Sequence, residues 1–192
     1  DIDKNGRYIK IKNENSDYLI KTILDFVSSN KEPIKSGVHL AKIMGGIAQR
    51  VRSNVLEMLL SKSEHYTELF KIRDVVKQNL ISSLDDNSFS DMYAQTLVYG
   101  LFSARYNDTT LNNFSRIEAR ELIPKTNPFL RSFFDHIAGN TFPDRLKYIV
   151  DELCKVFTHA HVHNLMHEYF KKESLFGEVY ESPDPVIHFY ED

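Results

Sequence analysis

The sequence predicts an all-α protein, an irregular multi-helical bundle of about eight helices. Apolar residues recur every three or four positions through most of the chain, which is the period of an amphipathic helix. Serine, asparagine and proline precede many of these stretches, where they favour helix starts. Alternating stretches typical of strands are almost absent.

Composition limits the classes of function. The chain has 192 residues, of which 42% are hydrophobic, so it can bury a core. A net charge of −3 with mixed signs argues against a nucleic-acid-coating or membrane-binding module. The one cysteine, Cys154, excludes a disulfide framework and favours a cytoplasmic setting. The apolar runs are too short to span a bilayer, and the N-terminus is charged, so no membrane or export signal is expected.

The N-terminal residues differ from the rest. Residues 1–16 are predicted to be a tail or the end of a preceding domain, and the Asn5-Gly6 turn could close a short β-hairpin there. Residues 17–183 form the predicted helical domain. From Asp17, apolar residues follow at helical spacing, and Pro33 starts the next segment.

A long helix is predicted from Val38 to Leu60, with Gly45-Gly46 marking a kink or a close helix crossing. Ser61 and Glu64 are spaced as a capping box that would open the next helix. The residues expected on the inner face of that helix are Leu69, Ile72, Val76 and Leu80.

A central helix is predicted next. Ser88 and Asp91 have capping spacing, and the following residues to Tyr106 are apolar nearly all round the helix, which is typical of a buried position. Gly100 would allow a neighbouring helix to approach closely. The expected core residues of this helix are Tyr93, Leu97, Leu101 and Phe102.

The remaining helices are shorter. Predicted starts are Ser115 with Glu118, Asn127-Pro128, and Thr141 with Asp144, and the first two helices would end at Pro124 and Gly139. A further helix is predicted from about His163 to Lys172. Asp184-Pro185 would begin a last helix, and residues 184–192 are interpreted as its start, leading into an absent downstream domain.

Four histidines, His159, His161, His163 and His167, form the most conspicuous cluster of possible metal ligands. In one continuous helix, His159, His163 and His167 would share a face, at a spacing that suits metal ligation. No H-E-x-x-H pattern closes such a site, however. The favoured interpretation is a solvated histidine run near a helix C-terminus, so no metal site is assigned.

Motifs for catalysis are absent from the sequence. Asn127-Pro128-Phe129 is close to the N-P-P-[YF] loop of amino-methyltransferases, but the second proline is missing and no strand precedes it, so a helix cap is favoured. No glycine-rich cofactor turn, phosphate-binding loop or nucleophile–base set can be placed. Pro143-Asp144 and Pro183-Asp184 lack the acidic-x-lysine strand of a nuclease. We therefore assign no catalytic or cofactor-binding residue.

Basic residues offer candidate phosphate contacts. These residues are Arg50, Arg52, Arg105, Lys125 and Arg131, of which Lys125 and Arg131 are the nucleic-acid candidates. The alternative is an ordinary solvated face, which an acidic domain also needs for solubility.

Three stretches carry a resemblance to a known family. They are FSDMYAQTLVYGLFSAR at 89–105, ARELIPKTNPFLRSFFDHIAG at 119–139 and DPVIHFYED at 184–192. In this order they resemble the helical connector region that precedes the N6-adenine methyltransferase domain of single-chain restriction-modification enzymes of the type IIG and type ISP kinds. The resemblance covers roughly residues 64–192 and does not extend to the histidine run or to residues 1–16.

The resemblance implies a parent chain with an N-terminal nuclease, sometimes a translocating motor, then this connector, then methyltransferase and DNA-recognition parts. S-adenosylmethionine and magnesium would serve the parent, and this segment would bind neither. Arg120, Lys125 and the helix at 184–192 would face neighbouring domains. Two other interpretations stay open: an independent helical protein-protein interaction module, and a metal-dependent enzyme that uses the histidine run.

Overall fold

The computed structural model describes residues 36–110 and 113–166, together with Ile20 and Ile34. The chain divides into two compact units, 1–33 and 34–192, and the fold below is that of the second. The predicted N-terminal hairpin, nearly all of the predicted helix from Asp17, His167 and the predicted helix at 184–192 lie outside the described residues.

The described residues are helical and contain no strand, which confirms the all-α class. The α-helices are α1 (Gly37–Ser61), α2 (Thr67–Asn79), α3 (Asp86–Tyr106), α4 (Arg116–Leu122), α5 (Pro128–Ala138) and α6 (Asp144–His159). A 3-10 turn, Glu64–Tyr66, precedes α2, and residues 162–166 are again helical.

α3 is the central helix, as its all-round apolar sequence predicted. It packs against α1 along the most extensive helix interface and also contacts α4 and α6. Tyr93, Leu97, Leu101 and Phe102 are fully buried. The predicted core of this helix is therefore confirmed. α1, α4 and α6 all pack against α3.

α1 presents one apolar face to the core. Its buried residues are Leu40, Met44, Ile47, Val51, Val55, Met58 and Leu59, together with Gly37 at its first turn. Ser36 caps the helix by accepting a hydrogen bond from the amide of His39. Gly45 and Gly46 are exposed, and a Cβ on either would meet no atom within 4 Å. The expected close helix crossing at this pair is wrong, because both residues lie on the solvent side of an uninterrupted helix.

Gly100 lies directly beneath a side chain from another helix, the ring of Phe134 on α5. A Cβ placed on Gly100 would lie 2.6 Å from two ring atoms of Phe134 on α5. The ring of Phe134 is fully buried. The absence of a side chain at Gly100 therefore makes room for the Phe134 ring, although the approach is that of one side chain and not of the two helix backbones.

Two predicted caps are shifted in the structure. Ser61 is the last residue of α1, and its hydroxyl donates to the Met58 carbonyl, because the chain leaves the helix through a left-handed Lys62 at φ 50°. Ser63 caps the 3-10 turn instead. α3 begins at Asp86 rather than after Ser88.

The cap of α3 is Asp85, whose carboxylate accepts a hydrogen bond from the Ser88 amide at 2.7 Å.

α6 begins at Asp144 after Pro143 without a side-chain cap, so the capping role predicted for Thr141 is wrong. In α2, Leu69 and Val76 are buried as predicted. Leu80 is 63% exposed, because the helix ends one residue before it.

The caps predicted at Ser115 and Asn127 are confirmed, and they shape the α4–α5 hairpin. The Ser115 hydroxyl accepts from the Glu118 amide at 3.2 Å. Asn127 Oδ1 accepts from the Leu130 amide at 3.0 Å, and Pro128 occupies the first helical position. Both helices therefore start where the sequence places them.

Loss of the α5 cap has a modest expected cost. Asn127→Ala should lower the free energy of unfolding by about 1 kcal/mol, because the Leu130 amide loses its acceptor. Chemical denaturation measures this difference. Thr126→Ala, at the exposed neighbouring position, is the control and should leave stability unchanged. Equal stability of the Asn127 variant and the wild type would contradict the capping role.

Candidate functional site

Arginine–carboxylate pairs fasten the helices to one another on their outer sides. α1 is joined to α6 by Arg50–Glu152 at 2.8 Å and by Glu57–Arg145 at 3.1 Å. Other pairs join further helices: Arg52–Asp91 joins α1 to α3, Arg73–Asp86 joins α2 to α3, Arg116–Asp151 joins α4 to α6, and Arg120–Asp135 joins α4 to α5. We call these six pairs the interhelical arginine pairs.

These pairs change the interpretation of the candidate phosphate contacts. Arg50 and Arg52 both belong to interhelical arginine pairs, so a carboxylate already faces each guanidinium. Both side chains remain about half exposed. A phosphate would have to compete with these carboxylates, which makes α1 a weak candidate surface for DNA.

Arg105 is withdrawn from solvent. Its side chain is 7% exposed, and its Nη1 donates to Asp108 Oδ2 at 2.5 Å and to the Thr110 carbonyl at 3.2 Å. The guanidinium also lies 5.6 Å from the ring centroid of Phe114. Arg105 is therefore a structural residue that anchors the segment after α3, and the predicted phosphate contact is not geometrically accessible.

The two nucleic-acid candidates on the α4–α5 hairpin have different roles. Arg131 donates to the Ile123 carbonyl at 3.2 Å and lies 3.7 Å from Glu121, so it holds the loop between the helices. Lys125 lies at the exposed tip of that loop and has no ion pair within the described part of the chain. Of the two candidates, Lys125 is the one whose charge is available to a partner.

The histidine run does not form one helical face. α6 ends at His159, and Ala160 takes an extended conformation before the helical residues 162–166. His159 Nδ1 lies 2.7 Å from the Lys155 carbonyl, while the His163 ring stacks on Tyr106 with centroids 4.5 Å apart. Within residues 36–110 and 113–166, no group of three or more His, Cys, Asp or Glu side chains is placed to hold a metal ion.

Two recesses open on the described surface. One, of about 360 Å³, runs along α3 and is lined by Met92, Gln95, Thr96, Tyr99, Gly100, Ser103 and Leu130. The other, of about 200 Å³, lies beside Arg105 and Asp108 and is bordered by residues 160–164. The first has a neutral lining without a carboxylate, histidine or cysteine. The charges in the second already neutralise each other.

Cys154 carries the only thiol of the sequence. It is buried in α6, and burial raises the pKa of its thiol to about 12. A thiol with so high a pKa carries almost no thiolate at neutral pH, so it is a poor nucleophile and metal ligand. Cys154 therefore acts as a core residue between its apolar neighbours.

Comparison with protein-family models, curated proteins and solved structures gives no match for this chain. None of the described helices is long and apolar enough to cross a membrane. The described residues thus define a helical bundle.

The functional arrangement missed by sequence reasoning is the set of carboxylates that engage the arginines. Arg105 and Asp108 stand only three residues apart across the end of α3, so this local pair could have been anticipated. Arg120 and Asp135 belong to different helices, and no local pattern connects them. Their pairing depends on the turn between α4 and α5.

Proposed function

We propose that this chain is a non-catalytic helical connector of a DNA restriction-modification enzyme, one that positions a nuclease and an adenine-N6 methyltransferase. The parent would use S-adenosylmethionine for methylation and magnesium for cleavage. The described helices would supply spacing and orientation. Their partners would be the neighbouring domains of the same chain, with DNA bound through the parent.

The observation that carries this proposal is the packing of two of the three stretches that resemble the connector family. The stretch 89–105 is the buried centre of the bundle, and the stretch 119–139 forms most of the α4–α5 hairpin. The two meet where Phe134 covers Gly100 and where the rings of Tyr93 and Phe133 pack with centroids 4.8 Å apart. Stretches separated in sequence but joined in one packed unit support a common architectural role.

The surface supports a spacing role over a catalytic one. Interhelical arginine pairs occur at five different helix interfaces, and each adds a directional contact to apolar packing. Such contacts add to the apolar packing that fixes one helix against another, and each exposed pair contributes at most about 1 kcal/mol. A domain that holds two other domains at a fixed separation needs this property.

The proposal is tested on the complete reading frame that encodes this chain. We expect the full-length protein to transfer methyl groups from S-adenosylmethionine to adenine N6 and to cleave DNA with magnesium. The 192-residue chain alone, as the control, should bind neither S-adenosylmethionine nor magnesium in calorimetry. A reading frame that stops directly after Asp192, or a full-length protein without adenine methylation, would overturn the proposal.

A contact with DNA is expected at the tip of the α4–α5 loop. Lys125→Ala should weaken binding of the full-length protein to duplex DNA and reduce the slope of log affinity against log salt by about 1, because one phosphate contact is lost. Gel-shift titrations at several salt concentrations measure the slope. Lys147→Ala, an exposed lysine on α6, is the matched control. Equal slopes for both variants would remove Lys125 from the DNA-binding surface.

A second candidate function is an independent protein-protein interaction module. It is favoured by the apolar side chains near the end of α2, where Val75, Leu80 and Ile81 are 49%, 63% and 43% exposed. The two functions differ in one test. The interaction module requires no methyltransferase in the same reading frame, whereas the connector requires it.

A further inference from the structure

Two buried polar atoms between α3 and α5 have no hydrogen-bond partner within the described residues. They are the hydroxyl oxygen of Tyr93, on the inner side of α3, and Nε2 of His136, in the last turn of α5. The two rings meet edge to face, with centroids 6.5 Å apart and planes at 78°. Buried polar groups are nearly always hydrogen-bonded, so two such atoms on adjacent rings point to a shared partner.

The two groups have complementary chemistry. A tyrosine hydroxyl both donates and accepts, and a neutral imidazole has one acceptor nitrogen. Both rings also have aromatic neighbours: the Phe133 ring packs against Tyr93 with centroids 4.8 Å apart, and the Phe142 ring packs against His136 with centroids 5.5 Å apart. A buried water commonly satisfies polar groups in this situation and is retained as part of the fold.

We propose that one buried water bridges the Tyr93 hydroxyl and Nε2 of neutral His136, and that this link makes the packing of α5 on α3 sensitive to acid. The hydroxyl donates to the water, and the water donates to Nε2. The imidazole proton therefore resides on Nδ1. This inference concerns the bundle itself and is independent of the proposed connector function.

The charges around His136 determine the direction of the acid response. Glu68 acts on His136 from α2 and is itself paired with Lys71 at 2.8 Å. From α4, Arg116 lies 5.4 Å from the ring centroid of Phe142 and donates to the Ile137 carbonyl, and its charge is paired with Asp151. Tyr93 faces the imidazole from α3 and is neutral, since burial raises the pKa of its hydroxyl.

Burial lowers the pKa of His136 below 6.5, and the charge of Glu68 opposes this only in part. The unfolded chain therefore takes up a proton at a higher pH than the folded chain does. The stability contributed by neutral His136 is fully present above pH 6.5 and is lost as the pH falls from there towards the lower folded pKa. Acidification below this value should loosen α5.

Tyr93→Phe tests the link because it keeps the ring and removes only the hydroxyl. Side-chain ¹⁵N NMR of the 192-residue chain reports which imidazole nitrogen of His136 is protonated and at what pH the ring titrates. In the wild type at neutral pH we expect Nε2 to be an unprotonated hydrogen-bond acceptor. In Tyr93→Phe the ¹⁵N resonance of Nε2 should move towards that of an imidazole nitrogen without a hydrogen bond. The pKa of His136 should also rise, because the neutral form loses its hydrogen bond.

Tyr148→Phe is the matched control, since this tyrosine of α6 is 70% exposed, and it should change neither property of His136. A proton on Nε2 at neutral pH in the wild type would overturn the proposal, as would identical His136 resonances and titration in Tyr93→Phe. If Tyr93→Phe does not fold, magnetisation transfer from a long-lived water to the Tyr93 ring is measured in the wild type. Its absence would also overturn the bridge.

Discussion

Asp108→Ala is expected to lower the free energy of unfolding by about 3–5 kcal/mol, because it leaves the Arg105 charge buried without a counterion. The carboxylate is 2% exposed and accepts from Arg105 at 2.5 Å. Its other oxygen accepts from the amide and the hydroxyl of Thr110 at 2.8 Å and 2.7 Å. All of these bonds are lost together, and denaturant unfolding of the variant measures the loss.

The same pair predicts an acid response. Burial alone would raise the pKa of Asp108, but the hydrogen bonds from Thr110 and Arg105 outweigh it and hold the pKa below its ordinary value of 3.8. The stability gained from the ionised carboxylate is therefore present above pH 3.8 and is lost as the pH falls below it. The difference in the free energy of unfolding between the wild type and Asp108→Ala should therefore become smaller below pH 3.8.

Asp91→Ala is the matched control for the buried pair. Asp91 also pairs with an arginine, Arg52, at 3.2 Å, but the two side chains are 55% and 44% exposed. An exposed pair contributes at most about 1 kcal/mol to stability, so the free energy of unfolding of this variant should remain close to that of the wild type. Similar losses for Asp91→Ala and Asp108→Ala would contradict the importance of burial.

Gly100→Ala should destabilise the protein by about 1–3 kcal/mol, although alanine is the better helix former. The added methyl group would lie 2.6 Å from the Phe134 ring, so this buried ring would have to leave its packed position. Thermal or denaturant unfolding measures the effect. Gly100→Ala combined with Phe134→Leu should lose less stability than the sum of the two single changes, because the smaller side chain relieves the overlap.

Gly46→Ala makes the same substitution at a position with free space around it, and it should stabilise the protein where Gly100→Ala destabilises it. A Cβ at Gly46 meets nothing within 4 Å, and the residue lies inside α1. The expected gain is about 0.5–1 kcal/mol from the lower conformational entropy of the unfolded chain. A stabilised Gly100→Ala or a destabilised Gly46→Ala would contradict the assignment of close packing to Gly100 alone.

The fold was predictable where the sequence pattern is local. The inner face of α1, from Leu40 to Val55, follows directly from apolar spacing, and Asn127 and Ser115 cap the helices that they precede. The prediction was wrong where two local patterns compete. Ser61 fits a capping box, yet the left-handed Lys62 ends α1 there, and Asp85 caps α3 in place of Ser88.

The candidate surface was less predictable, because the availability of a charge depends on tertiary partners. The sequence presents Arg131 and Lys125 as equivalent cations, but the fold turns Arg131 towards the Ile123 carbonyl and leaves Lys125 exposed. The histidine pattern assumed one continuous helix. In the structure the extended Ala160 ends α6, so His159 and His163 lie on separate helical segments. No proline or glycine near Ala160 indicates this break in the sequence.

The contact between α1 and α6 has a consequence for how the chain folds as it is synthesised. Arg50 and Glu152 are 102 positions apart, so the first long helix leaves the ribosome well before its partner exists. The apolar side of α1 can meet α3 earlier, but this assembly stays incomplete until α6 has emerged. Ribosome-bound chains that stop before residue 144 should therefore be more open to proteases than those that extend past residue 166.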